Sequence, residues 1–260
     1  MDVLRQHEIA EANHRILNPL TDEKLMLVGE ICRLQPDQRH LDLACGKGEM
    51  LCRFASRFGT SGRGIDLSKA FVAAARARAE ELGVAHRVRF DVADASEDVA
   101  DASEIVKPAS YDVVSCLGAS WIGGGIGGTI NLMRGSLRRD GLLLIGEPYW
   151  QEDPPGEALA AFGFGADDFT SLTGTFDRFD AARLELVEMV LADGDSWDRY
   201  VAAQWWTVNE WLRVNPDDPD APPMRRYLEH SRRSHLSYGR RYLGWGVFVL
   251  ADRSADGRCA

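Results

Sequence analysis

The stretch His40-Leu41-Asp42-Leu43-Ala44-Cys45-Gly46-Lys47-Gly48-Glu49 constrains the fold more than any other part of the chain. A short apolar run carries an acidic residue, then breaks into a turn with glycines at alternate positions. Met50 to Phe58 follows as a predicted helix. A strand, a tight glycine turn and a helix N-terminus form the arrangement in which an α/β sheet binds a nucleotide-like ligand. A dinucleotide site needs G-x-G-x-x-G, and position 51 is Leu51, which counts against it. The series here is Ala44-x-Gly46-x-Gly48, with Asp42 ahead of the turn. A carboxylate at that point repels a pyrophosphate but suits a cationic ligand with an amino group.

Along the rest of the chain, strand and helix patterns alternate. Strands are predicted at Arg39–Ala44, Gly62–Ile65, Arg87–Phe90, Tyr111–Cys116 and Leu142–Glu147, with helices at Met50–Phe58, Ala70–Leu82, around Val99–Val106, and at Gly127–Arg138. Apolar strands alternating with helices imply a parallel sheet covered on both faces. Ahead of these, Val3, Leu4, Ile9 and Ala10 pattern a short helix. Thr21, followed by Asp22 and Glu23, reads as the N-cap of another. After Glu147 the rhythm changes. Tyr149 to Asp168 reads as a loop or cap, Phe169–Phe179 as a helix, and Leu184–Leu191 and Gly244–Leu250 as two more strands. Trp197 to Arg241 is too long for a hairpin turn. Its segment Trp197–Val214 has helical spacing, so it is read as an inserted lid. The expected organisation is one domain over 1–260. It comprises an N-terminal helical cap (1–35), a core sheet (36–193 and 242–253) and an inserted helical lid (194–241).

Further segments follow the glycine turn in a set order. In Gly64-Ile65-Asp66-Leu67-Ser68 an acidic residue ends the second strand, about 20 residues beyond the turn, where a carboxylate can accept from a ribose diol. Arg89-Phe90-Asp91-Val92-Ala93-Asp94-Ala95 ends the third. Tyr111-Asp112-Val113-Val114-Ser115-Cys116-Leu117-Gly118-Ala119 forms the fourth, and Leu137 to Ile145 holds a Gly turn before the fifth. In this order and spacing the segments resemble the class I S-adenosylmethionine-dependent methyltransferases. Gly118 to Gly125, Ile145 to Trp150, His14 to Leu20 and Gly244 to Phe248 further resemble the bacterial YjhP-like group within that class.

The resemblance implies a Rossmann-like methyltransferase fold with a mainly parallel seven-stranded sheet, N-terminal helices and a lid. It also implies S-adenosylmethionine as cofactor, with S-adenosylhomocysteine as product. Carried over position by position, the cofactor residues are Asp42, Ala44, Cys45, Gly46, Gly48, Asp66, Leu67, Asp94, Ala95, Cys116 and Leu117. Asp91 is a rival to Asp94. The commonest first glycine of the motif is Ala44 here, a replacement that costs little if the backbone there keeps φ negative.

The net charge of −10 argues against a broad nucleic-acid surface. The Arg pairs at 138–139, 225–226, 232–233 and 240–241 are the candidates for a local basic patch, and solvated helix faces explain them as well. No apolar run is long enough to span a membrane, and the N-terminus has no signal-peptide pattern. Five cysteines without a C-x-x-C pair fit reduced thiols in a cytoplasmic protein. Cys45 is either a reactive thiol or a small residue filling a tight site. The six His residues are scattered without metal-ligand spacing, so no metal is expected.

Methyl transfer from a sulfonium is an in-line displacement governed by alignment and exclusion of water. A hydroxyl acceptor wants a base, and the candidates are His14, Glu147 and Tyr149, with His230 and His235 from the lid. Trp121, Trp150, Trp197, Tyr200 and Trp245 are candidates to wall a small or medium acceptor with an apolar part; packing of the lid explains such aromatics equally. Two other readings stay open: a protein that binds the cofactor without catalysis, and a methyltransferase acting on a macromolecule. The sequence leaves the acceptor atom and the oligomeric state unassigned.

Overall fold

The computed structural model describes residues 1–95 and 108–253. The helix expected around Val99–Val106 and the loose tail expected from Ser254 lie outside the described residues. The chain divides into two compact units. One comprises Met1–Leu20, Pro148–Thr175 and Ala192–Trp245. The other comprises Thr21–Glu147, Phe176–Leu191 and the chain from Gly246.

The second unit is built on a seven-stranded sheet. Its strands are β1 (Arg39–Leu43), β2 (Ser61–Asp66), β3 (Val88–Val92), β4 (Tyr111–Leu117), β5 (Leu137–Trp150), β6 (Leu184–Leu191) and β7 (Leu243–Asp252), in the order β3-β2-β1-β4-β5-β7-β6. β3, β2, β1, β4 and β5 pair in parallel, and β6 runs antiparallel to β7. The expected mainly parallel, seven-stranded α/β sheet is therefore present. Chain order reverses between β1 and β4, so their carboxyl ends flank a topological switch point, where open α/β sheets place ligands.

Helices α1 (Val3–Ala10), α2 (Asp22–Ile31), α3 (Glu49–Phe58), α4 (Lys69–Glu81) and α5 (Ile126–Ser136) precede β5. Thr21 caps α2 as expected, its hydroxyl accepting from Lys24 N, with Asp22 and Glu23 in the first turn. α3 and α4 cover β2 and β3 through Leu51, Cys52, Ala55, Val72, Ala75, Ala79, Val88 and Phe90. The N-terminus of α3 is tied down by buried Glu49, which takes hydrogen bonds from Arg53 Nε (2.6 Å) and Arg78 Nε (2.8 Å).

β5 is longer than the predicted Leu142–Glu147. Its regular ladder does begin at Leu142, opposite Val113, but Leu137 pairs Tyr111 and residues 138–141 form a bulge between. Asp140 takes a positive φ of 64° there, and Arg138 pairs with Asp112 at 2.7 Å.

The first unit is helical. It holds α1, α6 (Gly156–Phe162), α8 (Gly194–Val214), α9 (Ala221–Ser234), a π-helical turn (His235–Gly239) and α10 (Arg240–Tyr242); α7 (Leu172–Ala181) starts in it and ends in the other. α1 packs on α8, and α9 packs on α8 and α6. Ile9, Ala10, Val208, Met224 and Leu228 form the buried seam. The loop reading of Tyr149–Asp168 is corrected: Trp150 completes β5, and α6 sits inside the segment between Pro155 and a left-handed Gly163. Helix α8 begins at Gly194, not at Trp197, because Asp193 and Ser196 close a capping box.

Candidate functional site

Three alternate residues of the turn after β1 are left-handed: Ala44 (φ 56°), Gly46 (φ 54°) and Gly48 (φ 66°). The condition under which alanine costs little at this position, a negative φ, is not met. Cys45 N donates to Ile65 O (2.9 Å) and Gly48 N to Cys45 O (3.0 Å), so the turn is pinned to β2 and Ala44 is held where glycine is favoured. Gly48 admits no side chain, since a Cβ would lie 2.4 Å from Phe90 Cε1. Cys45 fills the space over the bare Gly64, whose Cβ would meet its Sγ at 2.6 Å. Burial, with the charges of Asp42 and Asp66, pushes this thiol well above its ordinary range. The geometry at Gly64 thus matches a small residue that fills a tight site, with the thiol held protonated.

Asp66 ends β2 with its carboxylate already oriented. Oδ2 accepts from Gly46 N and Oδ1 from Ser68 N, both at 2.8 Å. Both oxygens of this carboxylate are acceptors, the chemistry that a diol donor requires. Ala93 N donates to Asp66 O (3.1 Å), which brings the end of β3 beside it. Of the two acidic rivals, Asp91 sits within the ladder opposite Ile65 and pairs with Arg63 at 2.8 Å. Asp94 lies past the strand end, followed by buried Ala95. Leu67, just beyond Asp66, is exposed.

On the other side of the turn, Asp42 is buried and accepts from Ser115 Oγ at 2.5 Å. Burial pushes its carboxyl from 3.8 to about 7; the Ser115 hydrogen bond opposes this and the Asp66 charge adds to it. Ser115 Oγ also meets His40 Nε2 at 2.8 Å. Cys116, fully buried, and Leu117 close β4. On β5, Glu147 is 3% exposed and accepts a short hydrogen bond from Ser120 Oγ. Thr129 Oγ1 donates to Ser120 O (2.6 Å) and fixes that loop. Burial raises Glu147 from 4.5 to about 7, against the Ser120 hydrogen bond and the charge of Arg178. The carboxyl ends of β2, β1, β4 and β5 thus present Asp66, Asp42, Cys116 and Glu147 in spatial sequence. Trp121, in the loop after β4, is 69% exposed.

The remaining candidates lie in the first unit. His14 Nε2 donates to Tyr200 O (3.1 Å), with Nδ1 3.2 Å from Glu11 Oε2. Tyr200 OH (2.6 Å) and Gln204 Nε2 (2.6 Å) both donate to Glu11 Oε1. His14 and Tyr200 therefore belong to one polar cluster joining α1 to α8. Tyr149 is buried, its phenol raised by desolvation, and its ring lies on Gly244, where a Cβ would be 2.3 Å from Cζ. Trp245 follows, also buried. Trp150 packs among Phe162, Phe164 and Phe169 at centroid distances of 6.3, 6.3 and 5.7 Å. Trp197 is half-buried in the first turns of α8.

Residues that sequence reasoning passed over are His40, Ser115, Ser120, Glu11 and Gln204. The available signal was polarity in an apolar setting, such as Ser115 between Val114 and Cys116. Among the described residues, no cluster of His, Cys, Asp or Glu could hold a metal ion. Nor is any helix among them long and apolar enough to cross a membrane.

A switch-point sheet, a glycine turn without the third glycine, and acidic residues at successive strand ends define a class of proteins. The family model described as "Methyltransferase domain" matches residues 34–180, and the chain belongs to that family. Over 255 residues it is 45% identical to YjhP of Escherichia coli (strain K12), covering 97% of this chain and 100% of that one. The S-adenosylmethionine-dependent methyltransferase of Geobacter sulfurreducens, solved with S-adenosyl-L-homocysteine, is 47% identical with a TM-score of 0.90, over 97% of this chain and 99% of that one. The corresponding Thiobacillus denitrificans structure, also with S-adenosyl-L-homocysteine, is 45% identical with a TM-score of 0.89, over 97% and 100%.

Proposed function

We propose that this methyltransferase takes its methyl group from S-adenosylmethionine and delivers it to a small or medium organic acceptor. Glu147 is the observation that carries the acceptor reading. It is a buried carboxylate at a strand's carboxyl end, held by Ser120 and raised to about 7. A base near neutrality is poised to take a proton from an acceptor hydroxyl or amine. A base this enclosed serves an acceptor that enters a pocket, not a surface of a macromolecule. The net charge of −10 supports the same choice against nucleic acid.

The residues present fit the cofactor. Asp66, oriented by two backbone amides, would take the ribose diol, and Asp42 the cationic amino group. The turn Ala44–Gly48, with no side chain at Gly48, would lie under the nucleoside, and Asp94 would accept from the adenine amino group. When bound, the cofactor supplies an electrophilic methyl on a sulfonium. This chain's part is alignment, exclusion of water and removal of the acceptor's proton to Glu147 Oε.

The test is incubation with methyl-labelled S-adenosylmethionine and a cell extract, followed by separation of small molecules from macromolecules. Label in the small-molecule fraction is expected, lost in Glu147→Gln. Label confined to protein or nucleic acid would refute the acceptor reading.

A further inference from the structure

Asp42 stands at the end of a line of buried polar groups. His40 is 1% exposed, and its ring stacks on Phe54 at 5.9 Å with planes 23° apart. Its Nε2 is 2.8 Å from Ser115 Oγ, which is 2.5 Å from Asp42 Oδ1. The parallel register explains the line: Asp42 stands opposite Ser115, and His40 is two residues back on the same strand face.

The proton positions follow from the partners. Among the described residues, His40 Nδ1 has no hydrogen-bond partner. A proton there would be a buried donor with nothing to bond, so the neutral ring carries it on Nε2. Nε2–H must then donate to Ser115 Oγ. Ser115 has one proton, and the carboxylate at 2.5 Å receives it in preference to Leu41 O at 3.3 Å. Every donor in the line points toward Asp42.

We propose that His40 and Ser115 are positioning residues, a one-way hydrogen-bond relay that keeps Asp42 charged and aimed at the cationic amino group of the cofactor. This rests on the reading of Asp42 given above. The other titratable groups facing Asp42 work against its charge or leave it unchanged. Asp66 at the end of β2 repels it. The thiols of Cys45 and Cys116 are held protonated by burial, and Glu147 on β5 acts on Cys116. His40 itself stays neutral, lowered to about 3 by burial, so the relay works by direction rather than by charge.

The experiment is calorimetric titration with S-adenosylhomocysteine from acid to mildly alkaline pH, using wild type, Ser115→Ala, His40→Leu, His40→Gln and Asp42→Asn. Wild-type affinity should rise with pH through about 7 and then level. Loss of one hydrogen bond to a carboxylate should move that rise upward by ~1 pH unit in Ser115→Ala, about tenfold weaker binding on its acid side with the plateau kept. His40→Leu should shift in the same direction by less. His40→Gln, whose amide still donates, should restore the wild-type midpoint. Equal midpoints in wild type, Ser115→Ala and His40→Leu would overturn the relay, as would equal weakening at every pH. Asp42→Asn separates the two claims. Weak, pH-independent binding supports the Asp42 reading, whereas wild-type binding by this variant refutes that reading and the relay with it.

Discussion

Replacing Glu147 by glutamine should make the ligand-free protein more stable at alkaline pH while removing its activity. Glu147 is 3% exposed, and its folded-state value of about 7 lies above the ordinary 4.5. Between those values the folded state binds more protons than the unfolded one, so stability falls as pH rises. At about 1.4 kcal/mol per pH unit, the gap corresponds to ~3 kcal/mol of destabilisation fully developed above pH 7 and absent below 4.5. Glutamine keeps an oxygen for Ser120 but adds an amide donor and loses the attraction of Arg178, which together offset part of the gain. A net stabilisation of about 2 kcal/mol at pH 8, vanishing in acid, is expected. Urea unfolding of both proteins at the two pH values measures it. A difference that does not change with pH would refute the reasoning, because it would mean that Glu147 ionises at its ordinary value. Turnover with a hydroxyl acceptor should fall by roughly 10²–10⁴ if this carboxylate is the base.

Three further outcomes are expected. Gly48→Ala places a methyl 2.4 Å from Phe90 at φ 66°; it should cost about 2–4 kcal/mol in denaturant unfolding and weaken cofactor binding. A loss below about 1 kcal/mol would contradict the contact. Glu49→Ala strips Arg53 and Arg78 of a buried partner but leaves them Asp22 and Glu81, so it should cost about 1–3 kcal/mol, checked by thermal or urea melts. Ala44→Gly relieves a φ of 56° and should leave stability unchanged or raise it by up to ~1 kcal/mol, after the greater chain entropy of glycine is counted. Clear destabilisation in a denaturant midpoint would show that the alanine is unstrained.

The parts of the fold that were legible in the sequence are those where local chemistry and periodicity agree. The runs through Leu43, Asp66 and Leu117 mark strand ends because parallel strands are buried on both faces and each run breaks at a turn or a polar residue. Thr21 was legible as a cap because Asp22 and Glu23 follow it. α6 was not, because Pro154, Pro155, Gly156 and Gly163 read as loop residues although they also suit a helix N-terminus and a C-cap. The start of α8 lay in the Asp193–Ser196 pair, a shorter signal than the aromatics after it. Ala44 exposes a limit of another kind: the cost of alanine depends on the sign of φ, which residue type left open and which the hydrogen bonds of the turn to β2 make positive. The line from His40 to Asp42 depends on strand register between β1 and β4, which spacing along one chain does not encode. Trp150 had two readings, and the structure sets it among three phenylalanines.

The most direct measurement is calorimetric titration of the protein with S-adenosylhomocysteine, paired with Asp66→Ala shown to be folded. Micromolar binding by the wild type is expected, and the loss of two hydrogen bonds from a diol to a charged carboxylate, at about 1.5 kcal/mol each, predicts affinity ~100-fold weaker in the variant. No binding by the wild type, or equal affinity in the two proteins, would contradict the assignment of this strand-end site to S-adenosylmethionine.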